Sequence, residues 1–252
     1  MKRAAVAAIL VVLCLSPLCY GADLAQEVRA QDGFIIRLPD NWKAIPRDML
    51  DKYSQAVARL TRDTEKQVYD YGFQRSDAPG WFAYPYILIQ VRKTGRIAEA
   101  QLKSVKQFQG DMDKSMARMQ QAMSEVVSDA AVGEMVYDAG AHILFSRMRM
   151  EVKEVGTIKG LIALLLTEQG GIHIAGYAKG DDFAEYLPLF EKIVRGVVPD
   201  DNLRYRPRML ESVPVVGGID WGRALISTLI GAGLGAAGML LTRRLRKRKA
   251  RP

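Results

Sequence analysis

The stretch IKGLIALLLTEQGGIHIAGYA, Ile158 to Ala178, decides the fold class. Its first part, Ile158 to Thr167, is apolar on both faces of a strand, so it belongs in the middle of a sheet with cover on each side. Gly170-Gly171 suits a two-residue hairpin turn into a second strand, Ile172 to Ala178. Strands joined so tightly must be antiparallel. The prediction is an antiparallel sheet with a layer packed on each face.

Working outward, Ile143 to Lys153 alternates Leu144, Ser146, Met148, Met150 and Val152 against Arg147, Arg149, Glu151 and Lys153. That is the period of a strand with one buried face. Gly133 to Tyr137 reads as a short strand before it, completing a meander. A long amphipathic helix is expected from Ala98 to Val126, with Leu102, Val105, Phe108, Met112, Met116, Met119, Met123 and Val126 on one side. Tyr84 to Val91 (YPYILIQV) is rich in aromatic and branched residues, a strand composition, and a short strand with a Pro-Gly turn lies between Val68 and Gly80. Pro46 opens a helix over Arg47 to Arg62, with Leu50, Tyr53, Val57 and Leu60 on one face. Before it, Phe34, Ile36 and Leu38 alternate until Pro39. Downstream, Asp181 and Asp182 are placed to cap a last helix whose buried side is Phe183, Tyr186, Leu187, Phe190, Ile193 and Val194. Pro188 either kinks that helix or marks its start.

This α+β order, with Gly33-Phe34, Pro39, Trp42 and Pro46 at its opening, the YPYILIQV strand and the closing FEKIV helix, resembles the Mog1/PsbP-like fold family over roughly residues 28–196. The resemblance implies an antiparallel sheet sandwiched by helices. That family spans photosystem-associated subunits, a nuclear-transport GTPase regulator and exported bacterial proteins, so the resemblance carries no catalytic residue set, and a partner-binding role follows from it only by analogy.

The two ends of the chain give the address. Residues 1–21 have a basic start (Lys2, Arg3) and an apolar run of signal-peptide length, with Cys19 and Gly21 as small residues before a cleavage point at Ala22. Residues 221–242 contain an uncharged run, Ala224 to Thr242, just long enough to cross a hydrocarbon core of about 30 Å. Residues 243–252 (RRLRKRKARP) form a basic tail, which sets the cytoplasmic side. The expected organisation is a signal peptide (1–21), an extracytoplasmic α+β domain (22–198), a tether (199–220), one transmembrane helix (221–242) and a cytoplasmic tail (243–252) that can also meet anionic lipid headgroups. This places the chain in a bacterial inner membrane, single-pass, with its folded domain in the periplasm.

The net charge of +8 divides along the same lines: the signal carries two cations and the tail seven, leaving −1 on residues 22–242. The basic balance is therefore an orientation signal and gives no case for nucleic-acid binding. Both cysteines, Cys14 and Cys19, lie in the signal, so the mature chain has no thiol for disulfides, redox chemistry or Cys-ligated zinc.

Few motifs suggest chemistry. Gly233, Gly235 and Gly238 match GxGxxG, but they sit in the membrane run with no preceding strand and no acidic residue beyond. Ser227, Gly231 and Gly235 recur every four residues instead, the spacing at which two transmembrane helices approach closely. They are the candidate helix–helix contact, with a second copy or another membrane protein. The histidines His142 and His173, with Glu168 facing His173 across the hairpin, are the minimum for a metal site, although core or surface roles account for them; no metal or cofactor is expected. The methionines of the long helix, with Met148 and Met150, suit core packing, an adaptable binding groove or soft metal ligation. No GxSxG or HExxH occurs. Arg147, Arg149, Glu151 and Lys153 form the candidate interaction face. The leading expectation is an anchored protein-interaction or assembly module without chemistry of its own. The alternatives are a binding module for an apolar or amphipathic ligand between the sheet and the Met-bearing helix, and a hydrolase with a spatially assembled site.

Overall fold

The computed structural model describes residues 23–60, 69–102, 109–110, 113–114, 116–117, 120–121 and 123–208. The signal, the span with Ser227, Gly231 and Gly235, and the basic tail lie outside the described residues.

The elements are, in order, β1 (Gln26–Ala30), β2 (Phe34–Leu38), β3 (Trp42–Ala44), α1 (Arg47–Leu60), β4 (Tyr71–Arg75), β5 (Tyr86–Arg92), α2 (Glu99–Leu102), β6 (Val127–Val132), β7 (Val136–Asp138), β8 (Ile143–Val152), β9 (Gly156–Thr167), β10 (Gly170–Lys179), α3 (Phe183–Arg195) and β11 (Val198–Pro199). Eight strands form one sheet in the order β3-β4-β5-β10-β9-β8-β6, with β7 also on β8, and β1-β2-β11 form a second, small sheet. Pairing along both is antiparallel.

The double-sided strand read from Ile158 to Thr167 is β9, and its alternation sorts the whole core. Ile162, Leu164 and Leu166 face one layer with Leu50 and Tyr53 of α1, Leu102 of α2, and Met116, Met123, Met148 and Met150. Leu161, Ala163 and Leu165 face the other, with Phe34, Ile36 and Leu38 of β2 and Phe190, Ile193 and Val194 of α3. Each of these large side chains contributes about 1.5–3 kcal/mol by leaving water. The two faces are thus closed by different means, helices on one side and a helix plus a small sheet on the other.

Four expectations change. The two residues of the β9–β10 turn are Glu168 and Gln169, and Gly170 already pairs with Thr167. Gly170 is needed for contact: its φ is +144° and a Cβ there would lie 2.1 Å from the Arg92 carbonyl oxygen. Secondly, β6 is an unanticipated strand. Its Ser128, Asp129 and two alanines are weak strand formers, and the register shift between Val127 and Asp129 interrupts its alternation; the expected strand after Gly133 is confined to β7. Thirdly, Asp182 stands at the N-cap of α3 but makes no side-chain cap hydrogen bond, and the helix begins at Phe183 and runs through Pro188. Finally, residues 199–205, expected in a tether, pack on the folded domain. β11 pairs with β2, Arg204 bridges to Thr167, and Leu203 and Tyr205 are buried, so residues 199–205 belong to the packed domain.

Candidate functional site

The polar side chains converge at one end of the large sheet, where β5 and β9 finish, β8 and β10 begin, and the segment 200–208 crosses. Tyr205 is the centre of this cluster. At 5% exposure, its hydroxyl donates to the Ile97 carbonyl at 2.9 Å and accepts from the Glu99 amide at 3.1 Å. Its ring lies between Arg96, whose guanidinium carbon is 4.3 Å from the ring centre, and His142 at 5.0 Å. Burial raises the Tyr205 hydroxyl above the ordinary phenol range.

Two carboxylates organise the rest. Glu99, at the start of α2, accepts from the Tyr137 hydroxyl at 2.7 Å, and its Oε1 lies 2.8 Å from His142 Nδ1. Burial first, and then that carboxylate, push the Tyr137 hydroxyl well above the phenol range. Glu168, in the β9–β10 turn, takes Arg96 Nε at 2.8 Å, the Arg206 amide at 3.0 Å and Arg208 at 2.8 Å. Burial favours its neutral form, but the hydrogen bond from Arg96, the Arg206 amide and the two guanidinium charges outweigh it and hold Glu168 below the usual carboxylate range. Arg96 also donates to the Arg206 carbonyl at 2.6 Å.

A carboxylate beside an imidazole orients a proton acceptor in many hydrolases. Here the same carboxylate oxygen also accepts from Tyr137, and the ring rests on Tyr205. The arrangement fastens α2, the β7–β8 turn and the segment 200–208 together. Only His142 and Glu168 of this cluster were singled out from sequence, and for a different chemistry. Arg96, Glu99, Tyr137 and Tyr205 carry no local motif; they meet only because the sheet brings its turns to one end.

The histidines do not share a site. His173 lies in β10, 3% exposed, with Nδ1 unpartnered, and burial followed by the charge of Arg92 pushes it down to about 3. Glu168 is taken by arginines and not by His173. Among the described residues no three His, Cys, Asp or Glu side chains group to hold a metal ion. Met116, Met123, Met148 and Met150 are all buried in the core, while Met112 and Met119 lie outside the described residues.

The candidate interaction face is on β8, on the side of the sheet that α3 covers only in part. Arg147 reaches Glu191 of α3 at 3.6 Å, and Arg149 pairs with Asp129 of β6 and with Glu151 at 2.8 Å. Thr157 Oγ1 donates to Glu151 at 2.8 Å. Lys153 leaves this row: it lies in the turn after β8, and its ammonium donates to the Ser124 carbonyl at 2.9 Å. Val136 of β7, opposite Phe145, is 58% exposed and is the large apolar side chain most open to solvent among the described residues.

The sequence matches no family profile and no curated relative. Among solved structures, it is similar to cyanobacterial PsbP from Synechocystis sp. PCC 6803, at 12% identity over 73% of this chain and 99% of that one, with a TM-score of 0.39. It is also similar to a protein of unknown function from Pseudomonas aeruginosa, at 8% identity over 73% of this chain and 98% of that one, with a TM-score of 0.29. The PsbP likeness agrees with the fold family that the sequence resembles, and at these scores it carries nothing about activity or partners.

Proposed function

We propose that this chain is a single-pass protein of a bacterial inner membrane, whose periplasmic α+β domain binds another protein and does no chemistry of its own. The observation that carries the reading is the exposed row of side chains on β7 and β8. Arg147, Arg149 and Val136 stand exposed beside one another on a strand-built surface, and a surface patch of mixed charge around an apolar residue suits a protein partner better than a small molecule. A ligand-binding module needs an enclosed apolar pocket instead. Met116, Met123, Met148 and Met150, which would line one, are taken up in the core, and a concavity of about 710 Å³ between residues 23–24, β2 and α3 is bordered by Asp23, Arg37, Glu191, Lys192 and Arg195. The span contributes to assembly through Ser227, Gly231 and Gly235.

The test is crosslinking in native membranes with mass spectrometry, applied to the natural chain, to an Arg147→Glu/Arg149→Glu variant, and to a chain whose residues 224–242 are replaced by leucines. A stoichiometric partner lost with the charge reversal, while the thermal unfolding of the domain is unchanged, supports the β8 surface. A partner lost only with the leucine span moves the contact into the membrane. A partner retained by both variants refutes the reading.

A further inference from the structure

The segment Arg204-Tyr205-Arg206-Pro207-Arg208 is built as a row of cations on a fixed base. Tyr205 points inward, with its hydroxyl between Ile97 and Glu99, while Arg204, Arg206 and Arg208 on alternate positions are all exposed. Alternation of this kind puts every second side chain on one side of a chain that makes no turn. The partners agree: Arg204 reaches the Asp201 carboxylate at 3.1 Å and Arg206 the Asp201 carbonyl at 3.4 Å. The base is rigid because Arg204 bridges to Thr167, Glu168 grips the Arg206 amide and Arg208, and Asp200 accepts amide hydrogens for its carbonyl from Leu203 and Arg204 at 2.9 Å each. Asp201 is 84% exposed, so it holds Arg204 only weakly against a competing anion.

We propose that Arg204 and Arg206, set on the base that Glu168 and Arg208 help to fix, dock this end of the domain onto the phosphates of anionic lipids. The proposal rests on the anchored reading above. The choice of occupant comes from the length of chain that follows. Twelve residues, 209–220, separate Arg208 from the span, and even fully extended they reach no more than about 40 Å. Six of them (Met209, Leu210, Val213, Val215, Val216 and Ile219) are apolar, which suits a path along a membrane interface. The arginine row is therefore held beside a headgroup layer by its own chain, at the high effective concentration that a short linker gives. Guanidinium groups match phosphate oxygens in pairs, and two side by side can engage neighbouring headgroups.

The test uses the full chain reconstituted into vesicles of phosphatidylcholine alone or mixed with phosphatidylglycerol. In a Cys14→Ser/Cys19→Ser background, one fluorophore is placed at Gln169→Cys, in the turn beside the row, and in a second preparation at Asp181→Cys, at the opposite end of the sheet. Energy transfer to a headgroup dye is read at rising salt. The expected result is phosphatidylglycerol-dependent, salt-sensitive transfer from position 169 and little from position 181. Arg204→Gln/Arg206→Gln, which leaves the Glu168 grip intact, lowers the ratio of docked to free domain by on the order of fivefold per arginine. Transfer that is equal in both vesicles, or unchanged in the double variant with an unaltered thermal melt, overturns the docking. A chain that carbonate washes off the vesicles overturns the anchored reading, and the docking with it.

Discussion

Replacing Gly176 by alanine tests the packing that joins α3 to the sheet. Gly176 lies in β10 facing the second core layer, and a Cβ built on it would stand 2.6 Å, 2.7 Å and 2.9 Å from Cγ, Cδ1 and Cδ2 of Phe190. Ordinary carbon contact begins at about 3.5 Å, so the ring must retreat by about 1 Å. It cannot do so alone, because Phe190 is fully buried and its neighbours Ile193 and Val194 bind the same helix to β9 and β2. Overpacking of a rigid core contact costs about 2–3 kcal/mol. For a domain of this size that lowers the melting temperature by about 5–10 °C, read by thermal circular dichroism of the full chain in detergent. The decisive comparison is a double-mutant cycle with Phe190→Ala. Phenylalanine removal alone leaves a cavity and costs about 3–5 kcal/mol. Once the ring is gone the added methyl has space, so Gly176→Ala in that background should cost little or recover stability, a coupling above about 1 kcal/mol. Equal cost in both backgrounds would refute the argument and place the effect in the strand backbone.

Three further outcomes follow from other buried groups. His173 is neutral when folded, with its pKa pushed down to about 3, whereas in the unfolded chain it takes a proton at about 6.5. The unfolded state therefore binds more protons in that window, and stability should fall by about 1.4 kcal/mol per pH unit as pH drops through it; His173→Leu should flatten this slope in denaturant titrations, and an unchanged slope would show that the ring titrates normally in the fold. Gln74→Leu should cost about 2–4 kcal/mol, because the Gln74 amide donates to the Gly80 carbonyl and accepts from the Phe82 amide, both at 2.7 Å; Gln74→Glu, which sets a buried carboxylate against the Gly80 carbonyl, should cost at least as much at neutral pH and recover in acid, where a protonated carboxyl can donate, and a melt that does not change with pH would contradict the account. Glu168→Gln should cost about 2 kcal/mol at neutral pH by leaving Arg96 short of its partner. Since the folded pKa of Glu168 is depressed, that contribution is present above the ordinary carboxylate range and is lost as pH falls through the folded value, so the variant and the natural chain should converge in acid.

The fold was legible wherever the period of apolar residues matched the number of faces an element buries. β9 is apolar from Leu161 to Leu166 because it is covered there on both sides, β8 alternates because one face is open, and α3 shows its stripe because it lies on the sheet. Legibility failed where a residue serves a distant contact. Gly170-Gly171 looks like turn chemistry in isolation, but Gly170 is set by the Arg92 carbonyl of the neighbouring strand. β6 hides because its pairing is supplied by β8 and not by its own composition. The segment 199–205 reads as a linker by Pro199 and its charges, yet Leu203 packs on Gly33 in the β1–β2 turn and Tyr205 fills space beside the start of α2, contacts that no local pattern announces.

The site is harder to read than the fold for the same reason, carried further. Arg96, Glu99, Tyr137, His142, Glu168 and Tyr205 come from the two sides of α2's start, from β7, from two turns and from the segment 200–208, with more than 100 residues between Arg96 and Arg206. A sequence displays such residues only as scattered charge. Their buried fraction decides their weight: the Arg96–Glu168 pair, at 12% and 19% side-chain exposure, is shielded enough to be worth more than a surface ion pair, whereas Arg204 and Asp201 are not. The shielded pair therefore fixes the segment 200–208 on the sheet end, while Arg204, on the exposed Asp201, can exchange partners. On the docking proposed above, a segment fixed to the sheet end with exchangeable cations would pass orientation from the headgroups to the sheet, which a freely hinged one would not.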